Sequence, residues 1–219
     1  MKRTSRRRQA FTLIELLVVI SIIAVLMGLA FPVFQGVQNT AKKTQAKNDL
    51  VQIVTAVNAF YTEYGRYPVG TTNEGPYGGS GASSKPILDE LRGLAAATLN
   101  TRGIIFISPP DAKDQTNSRG GIKTSDGQWY DPWGTPYAIT LDANYDNEVL
   151  NPYTANAGSV PLRAGVITWS LGKDRNGGSG DKNASPGKDD VISWHDVPRL
   201  PIRVPHSTIR LLPAGVVQW

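Results

Sequence analysis

Ala10-Phe11-Thr12-Leu13-Ile14-Glu15-Leu16-Leu17-Val18-Val19-Ile20 opens an apolar run that continues through Ser21 to Phe31 and carries one charge, Glu15, in 21 residues. As an α-helix, the run from Phe11 to Phe31 is about 31 Å long, enough to cross a hydrocarbon core of about 30 Å. A carboxylate in such a segment costs free energy, up to about 2.5–3.5 kcal/mol at the bilayer centre. Glu15 therefore calls for a partner or a role.

Outward from the run, the charge distribution divides the chain. Five of its 23 basic residues (Lys2, Arg3, Arg6, Arg7, Arg8) lie in the first ten positions, where there is no acidic residue. Without residues 1–10 the chain carries 18 basic against 18 acidic side chains, and the formal net charge of +5 disappears. The basicity belongs to a leader that holds its end in the cytoplasm and sends the rest outward. It argues against a nucleic-acid binder, which needs a basic patch on a folded domain.

Two cleavage readings follow. Gly28-Leu29-Ala30 supplies a small-x-small site, which would make the run a discarded signal peptide and start a soluble protein at Phe31. The apolar region is, however, longer than the usual signal core of about 7–15 residues, and it carries a carboxylate. A cut before Phe11 instead keeps residues 11–31 on the mature chain as a transmembrane helix.

The stretch Ala10 to Ile20 resembles the class III signal of type IV pilins and type II secretion pseudopilins, and the likeness extends over residues 6–31. The resemblance implies that a membrane-embedded prepilin peptidase cuts between Ala10 and Phe11 and methylates the new amino terminus. Ala10 is a departure, since the family usually has Gly there. A cationic amino terminus, with an ordinary pKa of about 7.7–8.0, needs an anion when buried among helices. In the family that anion is supplied by the residue matching Glu15 on a neighbouring subunit, which sets register as subunits enter a helical filament. The alternative is a carboxylate snorkelling to the membrane surface, across only about 6 Å of helix.

Pro32 lacks an amide proton and crowds the preceding turn, so a kink is expected there, with Gly28 one turn earlier weakening the same region. Beyond it, Leu50, Ile53, Val54, Val57, Phe60, Tyr61 and Tyr64 recur at spacings of three and four. That spacing predicts one buried stripe on an amphipathic continuation over residues 32–64, with Lys42, Lys43, Lys47 and Asp49 in a more polar, membrane-proximal half. A long helix, lipid-embedded at its start and packed on a head at its end, gives a lollipop.

Gly65-Arg66-Tyr67-Pro68 ends the helix and opens a head over residues 65–195. Tyr64-Gly65-Arg66-Tyr67-Pro68 and Asp131-Pro132-Trp133-Gly134-Thr135-Pro136-Tyr137 resemble phrases of the major pseudopilin. Between them lies an insertion. Residues 69–84 read as a loop, Ile87 to Asn100 as a short helix, Ile104 to Ile107 as a strand, and Asp111 to Gln128 as a polar loop. Tyr137 to Leu141 and Gly165 to Leu171 have the β-branched and aromatic content of strands. With Asp190 to Trp194 they predict a small antiparallel sheet packed on the helix stripe, an α+β head.

One loop has the composition of a cation site. Leu171-Gly172-Lys173-Asp174-Arg175-Asn176-Gly177-Gly178-Ser179-Gly180-Asp181, running on to Asp189-Asp190-Val191-Ile192-Ser193-Trp194, combines glycines, aspartates and free carbonyls. Calcium takes six to eight hard oxygen ligands, which such a loop supplies. The segment resembles the calcium loop of the major pseudopilin. By that match Asp174 and Asp190 are side-chain ligands and the carbonyl of Leu171 a backbone ligand, with Asp189 as an addition. The span from Asp174 to Asp189 is longer than the usual family loop, and Lys188 stands where an acid is common. An acidic surface loop without metal is the alternative.

A second cluster, Asp142-Ala143-Asn144-Tyr145-Asp146-Asn147, begins like an EF-hand loop but has Tyr153 at the twelfth position, where that loop requires a bidentate glutamate. It reads as an Asx-rich hairpin turn. Trp129, Tyr130 and Trp133 could form a carbohydrate platform, but aromatics beside Pro and Gly more often pin a loop to a core.

Catalysis has little support. The chain has no cysteine, its two histidines (His195, His206) fall in a proline-punctuated carboxyl-terminal segment, and no Walker, Rossmann, HExxH or GxSxG pattern occurs. Residues 196–219 extend past the usual end of the major pseudopilin, positioned to dock on the head or contact a partner. The combined expectation is a major pseudopilin of type II secretion: a single-pass inner-membrane subunit with a periplasmic head, homopolymerising through its amino-terminal helices. The resemblance implies as partners the prepilin peptidase, the inner-membrane assembly platform and minor pseudopilins. A type IV pilin or minor pilin for adhesion or DNA uptake is the alternative within the class, and a secreted calcium-binding module is the alternative outside it.

Overall fold

A computed structural model describes residues 12–94, 98–177 and 180–194. The leader, the processing site at Ala10 and Phe11, and the extension over 196–219 lie outside the described residues, as do His195 and His206.

Helix α1 (Leu13–Tyr64) is 52 residues long and continues through Gly28 and Pro32. Thr12 caps its start: its hydroxyl accepts the Glu15 amide, while the Glu15 carboxylate accepts the Thr12 amide at 2.8 Å and the Thr12 hydroxyl at 2.7 Å. This reciprocal capping box satisfies amides that the first helical turn leaves without partners. The helix stops at Gly65, which adopts φ 65° and donates its amide to the Tyr61 carbonyl; a left-handed residue here favours glycine, which has no Cβ to clash.

The two halves of α1 face different surroundings. Among the described side chains, the large apolar residues from Leu13 to Phe31, with Phe34 and Val37, stand exposed, Leu13 at 82% and Val37 at 61%. In the second half Ala46, Leu50, Ile53, Val57 and Phe60 are fully buried against the head. Val54 and Tyr64 pack at the margin of that core, but Tyr61, expected in the stripe, is exposed and lies against Tyr67 at 4.8 Å between ring centres. Asp49, which lies in the half expected to be more polar, is buried beside Leu50, where Tyr137 supplies a hydrogen-bond donor inside the core.

The head is built on a three-stranded antiparallel sheet in the order β3 (Ala138–Leu141), β5 (Val166–Ser170), β7 (Val191–Ile192). These are the strands expected from the β-branched runs, with Ile139 opposite Thr168 and Trp169 opposite Ile192. All five residues of β5 are buried, because both faces of the strand are covered. Val166 joins the core beneath α1, and the Thr168 hydroxyl donates to the Leu50 carbonyl at 3.4 Å. Ile167 and Trp169 point the other way, into a second core with Val149, Tyr153, Ala157 and Leu171. The result is helix, sheet and loop layer, an α+β head on a long helix.

Two small pairs complete it. β1 (Gly121–Ile122), inside the segment expected to be a polar loop, pairs with β2 (Trp129–Tyr130), which follows that segment. β4 (Tyr153–Ala155) pairs in parallel with β6 (Gly180–Asp181), a contact that their lengths of three and two residues gave no reason to expect.

The insertion departs from expectation at two places. The helix expected over Ile87 to Asn100 is α2 (Lys85–Leu91), which ends early as Gly93 turns to φ 63°. The Glu90 carboxylate then accepts the amides of Thr98, Leu99 and Asn100, at 2.6–3.0 Å, holding the returning chain as a loop. Ile104 to Ile107 is not a strand: the amides of Phe106 and Ile107 both donate to the Leu91 carbonyl, so this segment caps α2 instead of joining a sheet.

Candidate functional site

The loop between β5 and β7 brings the expected acidic ligands together. Asp174, Asp189 and Asp190 each place a carboxylate oxygen within 4.8 Å of the others. Backbone geometry holds them there. Asp189 Oδ2 accepts the amides of Lys173, at 2.6 Å, and Asp174, at 3.0 Å, tying the two ends of the loop. Asp174 Oδ1 accepts the Asn176 amide at 2.9 Å. Asp190 follows a 3₁₀ turn (Gly187–Asp189) and is buried, with its Oδ2 accepting the Tyr153 hydroxyl at 2.5 Å. Leu171 lies buried at the loop's entrance, in the second core.

Glycine makes the approach possible. A Cβ on Gly177 would lie 2.2 Å from Asp190 Oδ2, and one on Gly172, at φ 67°, would lie 2.8 Å from Asp189 Oδ2. The loop backbone is thus packed directly on two carboxylates. Tyr153 and Gly177 were not singled out from the sequence. Gly177 sits in a glycine-rich run that marks the loop without marking which residue closes on Asp190, and Tyr153 is distant in sequence.

The second acidic cluster is an Asx-rich turn but not a hairpin, because β3 pairs with β5 across the sheet. Asp142 accepts the amides of Asp146 and Asn147 at 3.0 and 2.9 Å, and Tyr145 and Asn147 take positive φ. Glu74, from the insertion, comes beside it, where burial first and the charges of Asp146 and Asp142 next push its carboxyl above the usual range. Trp129 and Trp133 are buried, so they pin the head rather than form a sugar platform.

At the other end of the molecule, Glu15 is exposed among apolar side chains and engaged with Thr12 of its own chain. The signal for this contact, Thr-x-x-Glu before an apolar run, is present in the sequence. Among the described residues α1 is the one helix long and apolar enough to cross a membrane.

These features have close counterparts. The family described as "Prokaryotic N-terminal methylation motif" matches residues 5–31. The chain is similar to type II secretion system core protein G of Escherichia coli strain K12, at 30% identity over 79% of this chain and 99% of the relative. It is similar at 36% identity, over 77% of this chain and 99% of the relative, to type II secretion system core protein G of Klebsiella pneumoniae. Type IV major pilin protein PilA of Myxococcus xanthus is 40% identical over 30% of each chain. No solved structure matches significantly. By the near-complete coverage of these relatives, the chain belongs to the family of type II secretion system core protein G.

Proposed function

We propose that this chain is a structural subunit of a type II secretion pseudopilus, anchored in the inner membrane by α1 with its head in the periplasm and drawn from there into a filament that drives secretion across the envelope. The observation that carries the reading is the division of α1: its first half exposes apolar side chains all round, while its second half buries a stripe against the head. One helix thus serves two environments, lipid or neighbouring helices first and its own head second.

Prepilin peptidase acts between Ala10 and Phe11 in this reading, and Glu15 accepts the amino terminus of a neighbouring subunit to fix register. The inner-membrane assembly platform and minor pseudopilins are the further partners. Asp174, Asp189, Asp190 and the carbonyl of Leu171 would hold calcium. When bound, calcium supplies a divalent charge that offsets the repulsion of three close carboxylates and ties the loop from β5 to the start of β7. The fit rests on the clustered oxygens and on the backbone packed against Asp190 at Gly177.

The test is intact-mass spectrometry with amino-terminal peptide mapping of the chain expressed with its own export and processing machinery. A start at Phe11 carrying one methyl group is expected. A start at Phe31 would overturn the filament reading and leave a soluble secreted domain.

A further inference from the structure

A cleft of about 440 Å³ opens on the face of the sheet turned away from α1, between residues 72–80 of the insertion and the loop that precedes β4. Trp169, Pro76 and Pro152 supply apolar wall, together with Leu150, which is 67% exposed. Glu74 is the one charged side chain among the described residues that line the cleft, and Asp142 and Asp146 each place a carboxylate oxygen within 4.8 Å of its own. Burial first and the charges of Asp146 and Asp142 next hold the Glu74 carboxyl above its usual range. A guanidinium at this rim would offset the repulsion and pair with the carboxylate in the planar geometry that suits both.

The point at which the described head stops indicates the occupant. Trp194 packs edge-on against Trp169, at 6.2 Å between ring centres, and donates its Nε1 to the Ala157 carbonyl at 2.7 Å. The backbone therefore leaves the head beside a wall of the cleft. Residues 195–219 follow, with Arg199, Arg203 and Arg210 against a single carboxylate, Asp196. Within Pro198-Arg199-Leu200-Pro201-Ile202-Arg203-Val204-Pro205, the apolar Leu200, Ile202 and Val204 alternate with a set that contains both arginines. An extended chain separates two such sets onto opposite faces, and the prolines favour extended backbone at and before their own positions, which lowers the cost of ordering it. Leu200, six residues past Trp194, is within about 20 Å of it along an extended chain, whereas β7 and β3 are two strand spacings, about 10 Å, apart. We infer that residues 198–205 dock in the cleft of their own chain, with Leu200 and Ile202 against Leu150 and Trp169 and the Arg203 guanidinium on Glu74.

The chain has no cysteine, so introduced pairs can be linked without background. In the full mature chain in detergent, Leu150→Cys is combined with Ile202→Cys or, as a measure of random encounter, with Val217→Cys, and treated with a short bis-maleimide. Gel mobility separates links within one chain from links between two, and peptide mass spectrometry identifies the joined residues. The pair with Ile202→Cys is expected to link within one chain several-fold faster than the pair with Val217→Cys. Arg203→Glu, a change outside the described head, should remove most of that advantage, and adding Glu74→Arg should restore it. Equal rates for the two pairs, in chains whose thermal midpoints match the parent, would overturn the docking. Links between chains that rise with protein concentration would give the cleft to the tail of a second copy and overturn docking within one chain. A rate that ignores Arg203→Glu, or that Glu74→Arg fails to restore at an unchanged thermal midpoint, would overturn the pairing of Arg203 with Glu74.

Discussion

The phenol of Tyr137 donates a 2.7 Å hydrogen bond to Oδ2 of Asp49, joining the residue before β3 to the middle of α1 inside the core. Burial pushes the Asp49 carboxyl above its ordinary range, the Tyr137 bond pulls it back, and the charge of Asp131 raises it further. A raised folded-state pKa means that the native state holds the proton longer than the unfolded chain, so this contribution is complete below the unfolded pKa and is lost as pH rises through the folded one. Asp49→Asn keeps an acceptor for Tyr137 without the charge. It should raise the thermal midpoint at neutral pH and converge with the parent in acid, as followed by circular dichroism of the detergent-solubilised chain. Tyr137→Phe leaves the carboxylate without that donor and should cost about 1–3 kcal/mol.

Asp131 organises the turn Asp131-Pro132-Trp133-Gly134-Thr135. It is fully buried; its Oδ1 accepts the amides of Trp133, Gly134 and Thr135 at 2.7–2.9 Å, and its Oδ2 accepts the Ser170 hydroxyl. Asp131→Ala would strand these donors in the core, each at about 1–3 kcal/mol. Loss of cooperative unfolding is the expected result, whereas Ser170→Ala, which removes one donor and leaves three, should cost about 1 kcal/mol.

Legibility tracked the range of the interactions involved. The apolar run, the stripe through Leu50, Ile53, Val57 and Phe60, and strands β3, β5 and β7 were readable because local period and composition agree with their burial. The burial of Asp49 was not legible because its partner Tyr137 is 88 residues away in the sequence. The end of α2 depends on Glu90 reaching forward to three amides, and the Ile104 to Ile107 segment on a helix end instead of a strand. In the acidic loop the aspartates that cluster were legible; the Tyr153 contact and the close approach of Gly177 join residues far apart in the sequence and were not.

Gly177 offers a test of the proposed calcium site that leaves every charge in place. Gly177→Ala sets a methyl group within 2.2 Å of Asp190 Oδ2 as the loop now stands, so the backbone must withdraw from the carboxylate. An overpacking cost of about 1–3 kcal/mol, borne by the calcium-loaded loop, corresponds to about five- to 150-fold weaker calcium binding. Calorimetry with calcium should show that loss, with Asp174→Ala plus Asp190→Ala abolishing the response. An unchanged calcium response in the double variant would move the ion elsewhere.

Glu15 caps its own helix, and the capping box provides the means to separate that contact from the register role proposed for it. In the single chain its carboxylate accepts the amide and hydroxyl of Thr12, a bond pattern that glutamine can also provide. Between subunits the proposed partner is a cationic amino terminus, for which an uncharged amide is no substitute. Thr12→Ala should therefore weaken the helix start by about 1 kcal/mol while leaving filaments able to form. Glu15→Gln should keep the helix and its membrane insertion but block assembly, and Glu15→Ala should lose both cap and assembly while still inserting. Sedimentation of sheared filaments, alongside carbonate extraction for insertion, reads the two roles independently. Normal filaments from Glu15→Gln would reduce Glu15 to a helix cap and remove it from register selection.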